Sequence, residues 1–451
     1  MTDHLPNTLG LPPMDAERQA WVEAAWNQLD VENIRQLNLD IVNVHSPMGF
    51  ERELAEWLAA RMQGSGISSH VQVIDDLSGN AIGRYGNRAD GATLMLYAPT
   101  DTHIAHDTKI DLPWVGEDFR ADMVTPGYVT DVGDVVGLGA ANPKAGIAAQ
   151  IAALEAVVKA GIPLRGEVVA AYCGGGMPAH SEPGYPRQGI GLGSGAFHMV
   201  REGVTADFGV ICKPLNLVLW EEPGLAWFKV STRGPVMYAG LPKEMPGYSN
   251  TIADLAKIAT AIEEWLPTYA RLNTSGLVKP EGALGALRAN VPSRVAIPPG
   301  AAELYIDLRI TPRMTPMDAW RQLDEVVRQV VKANPHIDAK VEMIAAYPSA
   351  STDPAHWIIQ STTRAWEAVE GQRHPVPTPF SGQTDASLLR NLGIPLARVG
   401  CELYNDGPFD WSRGIGGMGV SHIPHVERLA RKLVQVIVDS CTRPLSEIQI
   451  K

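Results

Sequence analysis

Cysteine is scarce: four in 451 residues (Cys173, Cys212, Cys401 and Cys441), spread along the chain with no CxxC pair. That spacing excludes a disulfide scaffold and a cysteine-built structural zinc site. It leaves the four as small buried apolar side chains. No apolar run approaches the ~20 residues that a membrane-spanning helix needs, so no membrane partner is expected. The opening MTDHLPNTLGLPPMD has neither the basic start nor the apolar stretch of a secretory leader, and a cytoplasmic location is expected. A basic surplus is also lacking. Lys and Arg number 38 against 50 Asp and Glu, for a net charge of −12, which argues against a nucleic-acid or anionic-membrane partner. No internal repeat is visible.

What is present is ordinary for a globular enzyme: 45% hydrophobic and 20% charged residues. The length exceeds the roughly 250–300 residues at which a single core stops growing, so two domains are expected. Helix-spaced apolar residues over 15–29, 51–62 and 145–160 alternate with the buried-strand runs VQVI (71–74), TLMLYA (93–98), EVVAAYC (167–173) and DFGVIC (207–212). Alternation of this kind predicts an α/β core with a sheet flanked by helices. The texture changes near residue 222. A strand at 227–232, a helix at 251–265, a strand at 302–310, a helix at 316–333 and a strand at 339–346 predict a small antiparallel α+β sandwich. The α/β pattern then resumes, with helices at 354–369 and 384–391, a strand at 395–400 and a closing helix at 426–440. The expected organisation is a core formed by 1–221 and 346–451, interrupted by an inserted ferredoxin-like domain at 222–345.

Five segments, in order, carry a family resemblance: LMLYAPTDTH, VVGLGAANPKAGIAAQIAALEAV, LRGEVVAAYCGGGM, KVSTRGPVMYAGLP through SNTIADLAKIATAI, and FSGQTDASLLRNLGIPLARVG with GVSHIPHVERLARKL. NVP (290–292) followed by DLR (307–309) is a sixth, partial match. Together they cover most of the chain and resemble the aminoacylase, desuccinylase and glutamate-carboxypeptidase family of metallohydrolases. The resemblance implies a zinc-peptidase-like core and a homodimer formed through the inserted domain. It also implies two zinc ions at the carboxyl ends of the core strands.

The positions that would hold those ions are changed. The first histidine ligand falls at Pro99 and the bridging aspartate at Asn142. The paired glutamates, general base and ligand, fall at Gly176 and Met177, and a later carboxylate falls at Lys213. Only the last histidine is kept, as His422, with Glu427 at a spacing that some members show. Zinc needs several deprotonated donors converging on it, so no metal cofactor is expected at this set.

Asp101 and Lys144 match residues beside the first ligand and after the bridging position. The insert-domain histidine that reaches a partner's site falls at Tyr238, whose phenol can still donate to an oxyanion. The residues expected to do chemistry are therefore Asp101, Lys144, Lys213, Tyr238 and His422. Lys213 would serve as an electrostatic anchor, and His422 as acid or base. Thr100, Asn142, Gly176, Asn290 and Arg309 are expected on the substrate side, Arg309 offering a fork for a carboxylate. For Asn290 and Arg309 a turn cap and a structural ion pair are equally open. Cys173 is a further nucleophile candidate, provided its thiol is acidified.

A relocated single-ion site, for zinc or another divalent metal, is the alternative, drawn from Asp101, His103, His106, His180, Glu182 and His422. Three functions stay open. One is a metal-independent enzyme acting on an amide or ring bond of a small carboxylate-bearing substrate, with elimination or isomerisation also compatible. The others are an amidohydrolase or peptidase with a rebuilt metal site, and a noncatalytic binding homologue.

Overall fold

The computed structural model describes residues 11–116, 119–120, 122–179, 187, 190–402 and 418–448. In chain order the elements begin with helices α1 (Ala16–Trp26), α2 (Val31–Asn43) and α3 (Arg52–Gly64), followed by strands β1 (Ser68–Val73), β2 (Gly79–Gly86) and β3 (Thr93–Pro99). After α4 (Thr108–Val115) come β4 (Tyr128–Val129), β5 (Val135–Val136), α5 (Ala145–Lys159), β6 (Glu167–Cys173), α6 (Ser194–Arg201) and β7 (Phe208–Cys212). Next are β8 (Glu221–Glu222), β9 (Gly224–Arg233), α7 (Thr251–Asn273), β10 (Gly282–Ala289), β11 (Ala301–Ile310), α8 (Pro316–Ala333), β12 (Asp338–Tyr347) and β13 (Ala350–Ser351). The chain closes with α9 (Trp357–Glu370), α10 (Ala386–Asn391), β14 (Leu396–Val399), β15 (Val420–Ser421) and α11 (Ile423–Cys441).

These elements form two compact units. The first comprises Met1–Trp220, Thr352–Pro377 and Thr384–Lys451, and the second Glu221–Ser351 and Thr378–Gln383. The first unit is built on a six-stranded mixed sheet in the order β1-β2-β6-β3-β7-β14. β3, β6, β7 and β14 run parallel, while β2 is antiparallel to both β1 and β6. Every residue of β3, β6 and β7 is buried, which explains their continuous apolar runs: a parallel strand covered on both faces has no polar side to show. Helix α5 is buried from Ala145 to Val157 and packs with α11, so it too is apolar on most of its surface, with Gln150 and Glu155 the buried exceptions. Because the four strands are parallel, their carboxyl ends share one edge, with Pro99 opposite Cys173 and Val399 opposite Cys212. Ligands of open α/β sheets bind at such an edge.

The second unit has a four-stranded antiparallel sheet in the order β10-β11-β9-β12. With α7 between the first two of its strands and α8 between the last two, this is the ferredoxin-like arrangement. Phe228, Val230, Leu255, Ile258, Leu304 and Leu323 pack in its core. Helix α8 starts on a reciprocal cap, the Thr315 side chain accepting from Asp318 N–H and Asp318 accepting from Thr315 N–H, with Pro316 in the first turn, a combination suited to a helix start. Among the described residues no helix is long and apolar enough to cross a membrane.

Candidate active site

The carboxyl end of β6 runs into the turn Gly174-Gly175-Gly176, and buried carboxylates hold that turn. Asp101, just beyond β3, is fully buried. Its two oxygens accept from the backbone N–H of Gly176 at 2.9 Å and Met177 at 2.8 Å. Glu51, at the start of α3 and also fully buried, accepts from Gly49 N–H at 2.6 Å, Gly175 N–H at 3.0 Å and the Ser78 hydroxyl at 2.7 Å. Glycine is required here. Gly175 has φ +67°, and a Cβ on Gly176 would lie 2.5 Å from Pro99 Cβ and 2.6 Å from Asp385 Oδ2. Asp385 also accepts a hydrogen bond of 2.7 Å from the buried Tyr97 hydroxyl.

Burial raises the pKa of both clamping acids. Glu51 is pushed up to about 7 by burial and by the neighbouring charge of Asp101. Asp101 is raised by burial, against the opposing pull of the Met177 N–H, the Lys213 charge and the Gly176 N–H. Two interacting carboxyls in a dry site disfavour ionising both at once.

Next along the sheet edge, Lys213 leaves the end of β7 and lines a small cleft with Ala141, Cys212, Gly400 and Cys401. It is 8% exposed, and its ammonium donates to Asn142 Oδ1 at 3.1 Å. This contact joins two of the positions at which the family resemblance implies metal-binding carboxylates, and it decides the fit of a two-zinc centre. The one good metal-donor atom of Asn142, Oδ1, already accepts a hydrogen bond from a cation, and that cation stands at a ligand position. Pro99 and Gly176 bring no donor side chain. The residues present do not fit a pair of zinc ions. Among the described residues no three His, Cys, Asp or Glu side chains gather where they could hold a metal. His180 and Glu182 of the alternative metal set lie outside the described residues.

His422 opens α11, immediately after β15. Its Nδ1 lies 2.8 Å from Oδ1 of the buried Asp134, and its ring packs edge-on against His425 with centroids 4.7 Å apart. His425 Nε2 in turn lies 3.7 Å from Glu402, and its pKa is lowered by burial and by His422.

The remaining expected residues are placed as follows. Lys144 is 1% exposed, and its ammonium donates to the carbonyls of Val42 at 3.3 Å and Val44 at 2.9 Å. It therefore holds the orphan carbonyls at the end of α2. Burial brings its pKa down to about 7. Thr100 is fully buried, its backbone fixed by Thr100 N–H donating to Cys173 O and by the Ser46 hydroxyl donating to Thr100 O. His103 is partly buried, and burial together with the Lys213 charge takes its pKa down to about 4, so it is a neutral imidazole at physiological pH. His106 has a φ of 57° and stacks at a tilt on Phe119. Cys173 is fully buried with its thiol pKa well above the ordinary value, mainly through burial, the opposite of what a nucleophile needs. Glu427 pairs with Arg431 one turn on.

In the second unit, Tyr238 is 60% exposed. Asn290 has φ 48° and donates to the carbonyls of Arg294 and Ile297, which is a turn cap. Arg309 pairs with Asp307 at 2.9 Å. For these two residues the structural roles are the ones seen.

Sequence reasoning missed Glu51, Asp134 and Asp385. Glu51 and Asp134 lie outside the motif segments, and Asp385, though inside one, had no signal to set it apart. A pattern cue existed for Glu51, a carboxylate just before the apolar-periodic run of α3, but it reads as a helix start and nothing more.

No protein-family model matches the sequence. Solved structures do. The aminopeptidase PepT of Bacillus cereus aligns over 92% of this chain and 99% of its own at 18% identity, with a TM-score of 0.64. Human carnosine dipeptidase 1 aligns over 96% and 100% at 14% identity, with a TM-score of 0.66. A hydantoinase/carbamoylase family amidase of Burkholderia ambifaria aligns over 92% and 98% at 15% identity, with a TM-score of 0.58. At such identities the likeness is one of fold, and it runs along nearly the whole chain. The chain thus carries the fold of the metallopeptidase-like hydrolases that its sequence segments resemble.

Proposed function

We propose that this protein is an enzyme that acts on an amide or ring carbon–nitrogen bond of a small carboxylate-bearing molecule, and that it works without the two zinc ions that the family resemblance implies. The observation that carries the reading is the Lys213–Asn142 hydrogen bond. A cation and a neutral amide stand where two metal-binding carboxylates would be needed. The ammonium supplies fixed positive charge at the sheet edge, where a substrate carboxylate or a developing oxyanion gains from it. His422, oriented by Asp134, supplies the acid or base. Peptidases and amidases of the same fold cleave such bonds, which supports the reaction class and the substrate class. We further propose a homodimer through the second unit, in which the exposed Tyr238 is available to a partner's site, and a cytoplasmic protein.

The test is calorimetric binding and turnover of a panel of N-acyl amino acids, dipeptides and cyclic ureides by the full chain in excess chelator. Binding or turnover that survives chelation and falls at least tenfold in both Lys213→Met and His422→Ala is the expected result. Activity abolished by chelation and restored by zinc would overturn the reading in favour of a rebuilt metal site. Binding indifferent to both substitutions would show that this edge of the sheet is not the site.

A further inference from the structure

Asp134 belongs to no motif, and the fold alone gives it little reason to be an acid. It closes the tight turn between β4 and β5, where Thr130 N–H donates to Asp134 O at 2.9 Å and Asp134 N–H donates to the Thr130 hydroxyl at 3.0 Å. The backbone is thus satisfied without the carboxylate. The side chain is 0% exposed, and its Oδ2 has no hydrogen-bond partner among the described residues. A buried carboxylate that is incompletely hydrogen-bonded costs several kcal/mol, on the order of the stability of a whole domain. Among the described residues its one side-chain hydrogen bond is the 2.8 Å bond to His422 Nδ1.

The backbone enforces that contact. β15 pairs antiparallel with β5, Ser421 facing Val135 and Val420 facing Val136, so the next pair in register sets His422 opposite Asp134. The small three-stranded sheet β15-β5-β4 therefore brings the carboxylate under one edge of the imidazole. The His422 side chain is 25% exposed, and its Nδ1 edge is the one held at the acid.

We propose that Asp134 is a positioning residue that fixes His422 as the tautomer protonated at Nδ1, so that Nε2 carries the lone pair that takes up a proton during the reaction. A buried carboxylate accepts the Nδ1–H bond, orients the ring and stabilises the imidazolium once Nε2 is protonated. The use of that nitrogen rests on the proton-transfer role of His422 proposed above, whereas the tautomer itself is a property of the resting protein.

The tautomer is read directly from long-range proton–nitrogen correlation spectra of the full chain labelled with nitrogen-15 histidine, His422 being assigned from His422→Gln. In the wild type the neutral His422 ring should carry its proton on Nδ1. In Asp134→Asn, whose amide can donate to the ring, the population should shift to the Nε2-protonated form, and Asp134→Glu should restore part of the Nδ1 form. A wild-type ring protonated at Nε2 overturns the proposal, and so does an unchanged tautomer in a folded Asp134→Asn. If Asp134→Asn does not fold, the wild-type spectrum alone decides. The spectra are taken without substrate, so a wrong tautomer and a failure to bind amides are separate outcomes.

Discussion

Glu51→Gln tests the buried acid pair. Glu51 is fully enclosed and has its pKa moved from 4.5 to about 7. Each tenfold in a proton equilibrium is about 1.4 kcal/mol, so ionising this carboxyl costs the folded state about 3 kcal/mol relative to the unfolded chain. The folded pKa lies above the unfolded one. The stabilising contribution is therefore complete below about pH 4.5 and is lost as the pH rises through about 7. Glutamine removes the titration and keeps the geometry. Its Oε1 accepts the Gly49 and Gly175 N–H groups, and its amide donates to Ser78 Oγ. Urea unfolding of both proteins at several pH values, followed by circular dichroism, is the assay. The two should be nearly equal at about pH 5, and the variant should gain up to about 3 kcal/mol by about pH 8. Parallel pH curves, or a variant that loses several kcal/mol at the higher pH, would refute the reasoning.

Three other substitutions check the same region. Asp101→Asn leaves an amide N–H facing a backbone donor, Gly176 or Met177, and should lower stability by about 1–3 kcal/mol; an unchanged urea midpoint would show that the clamp contributes nothing. Gly176→Ala must force a Cβ against Pro99 and Asp385 and should cost about 1–3 kcal/mol, seen as a lowered melting temperature. Lys144→Met strips the donor from the Val42 and Val44 carbonyls and should destabilise by about 1–3 kcal/mol, with amide binding kept within a few fold. The Lys144 pKa falls from 10.5 to about 7 on folding, so over that interval the unfolded chain holds the extra proton. Wild-type stability should therefore rise relative to Lys144→Met as the pH climbs from about 7 towards 10.5.

The core strands were legible because parallel strands buried on both faces must be continuously apolar, and β3, β6 and β7 are. Helix α8 announced itself through its amphipathic spacing and through Thr315 and Pro316 at its start. Other elements were silent for identifiable reasons. β2 reads GNAIGRYG and β10 reads GALGALRA; both are glycine-rich with few β-branched residues and look like turns. They are strands because neighbouring strands pair with them, a tertiary effect that propensity does not register. Helix α2, VENIRQLNLDIVN, did carry signals, a capping Asp30 and the helix-spaced Ile34, Leu37, Ile41 and Val42, but it follows closely on α1 and was passed over.

The site divides in the same way. That Pro99, Asn142, Gly176 and Lys213 cannot replace zinc ligands was visible from side-chain chemistry. That Lys213 and Asn142 touch was not, since 71 residues separate them. Lys144 sits in a motif, yet its ammonium serves the end of α2, a partner about a hundred residues away that no spacing rule could identify. Asp134 and His422 are 288 residues apart and meet only through the register of β5 and β15.

The central claim is that a lysine–asparagine contact stands in place of a two-zinc centre. Equilibrium dialysis of the purified full chain against zinc, followed by elemental analysis and anomalous diffraction at the zinc edge, tests it most directly. The account predicts no stoichiometric zinc and no anomalous peak among Pro99, Asn142, Gly176, Lys213 and His422. Two ordered zinc ions bridged at that edge of the sheet would contradict it.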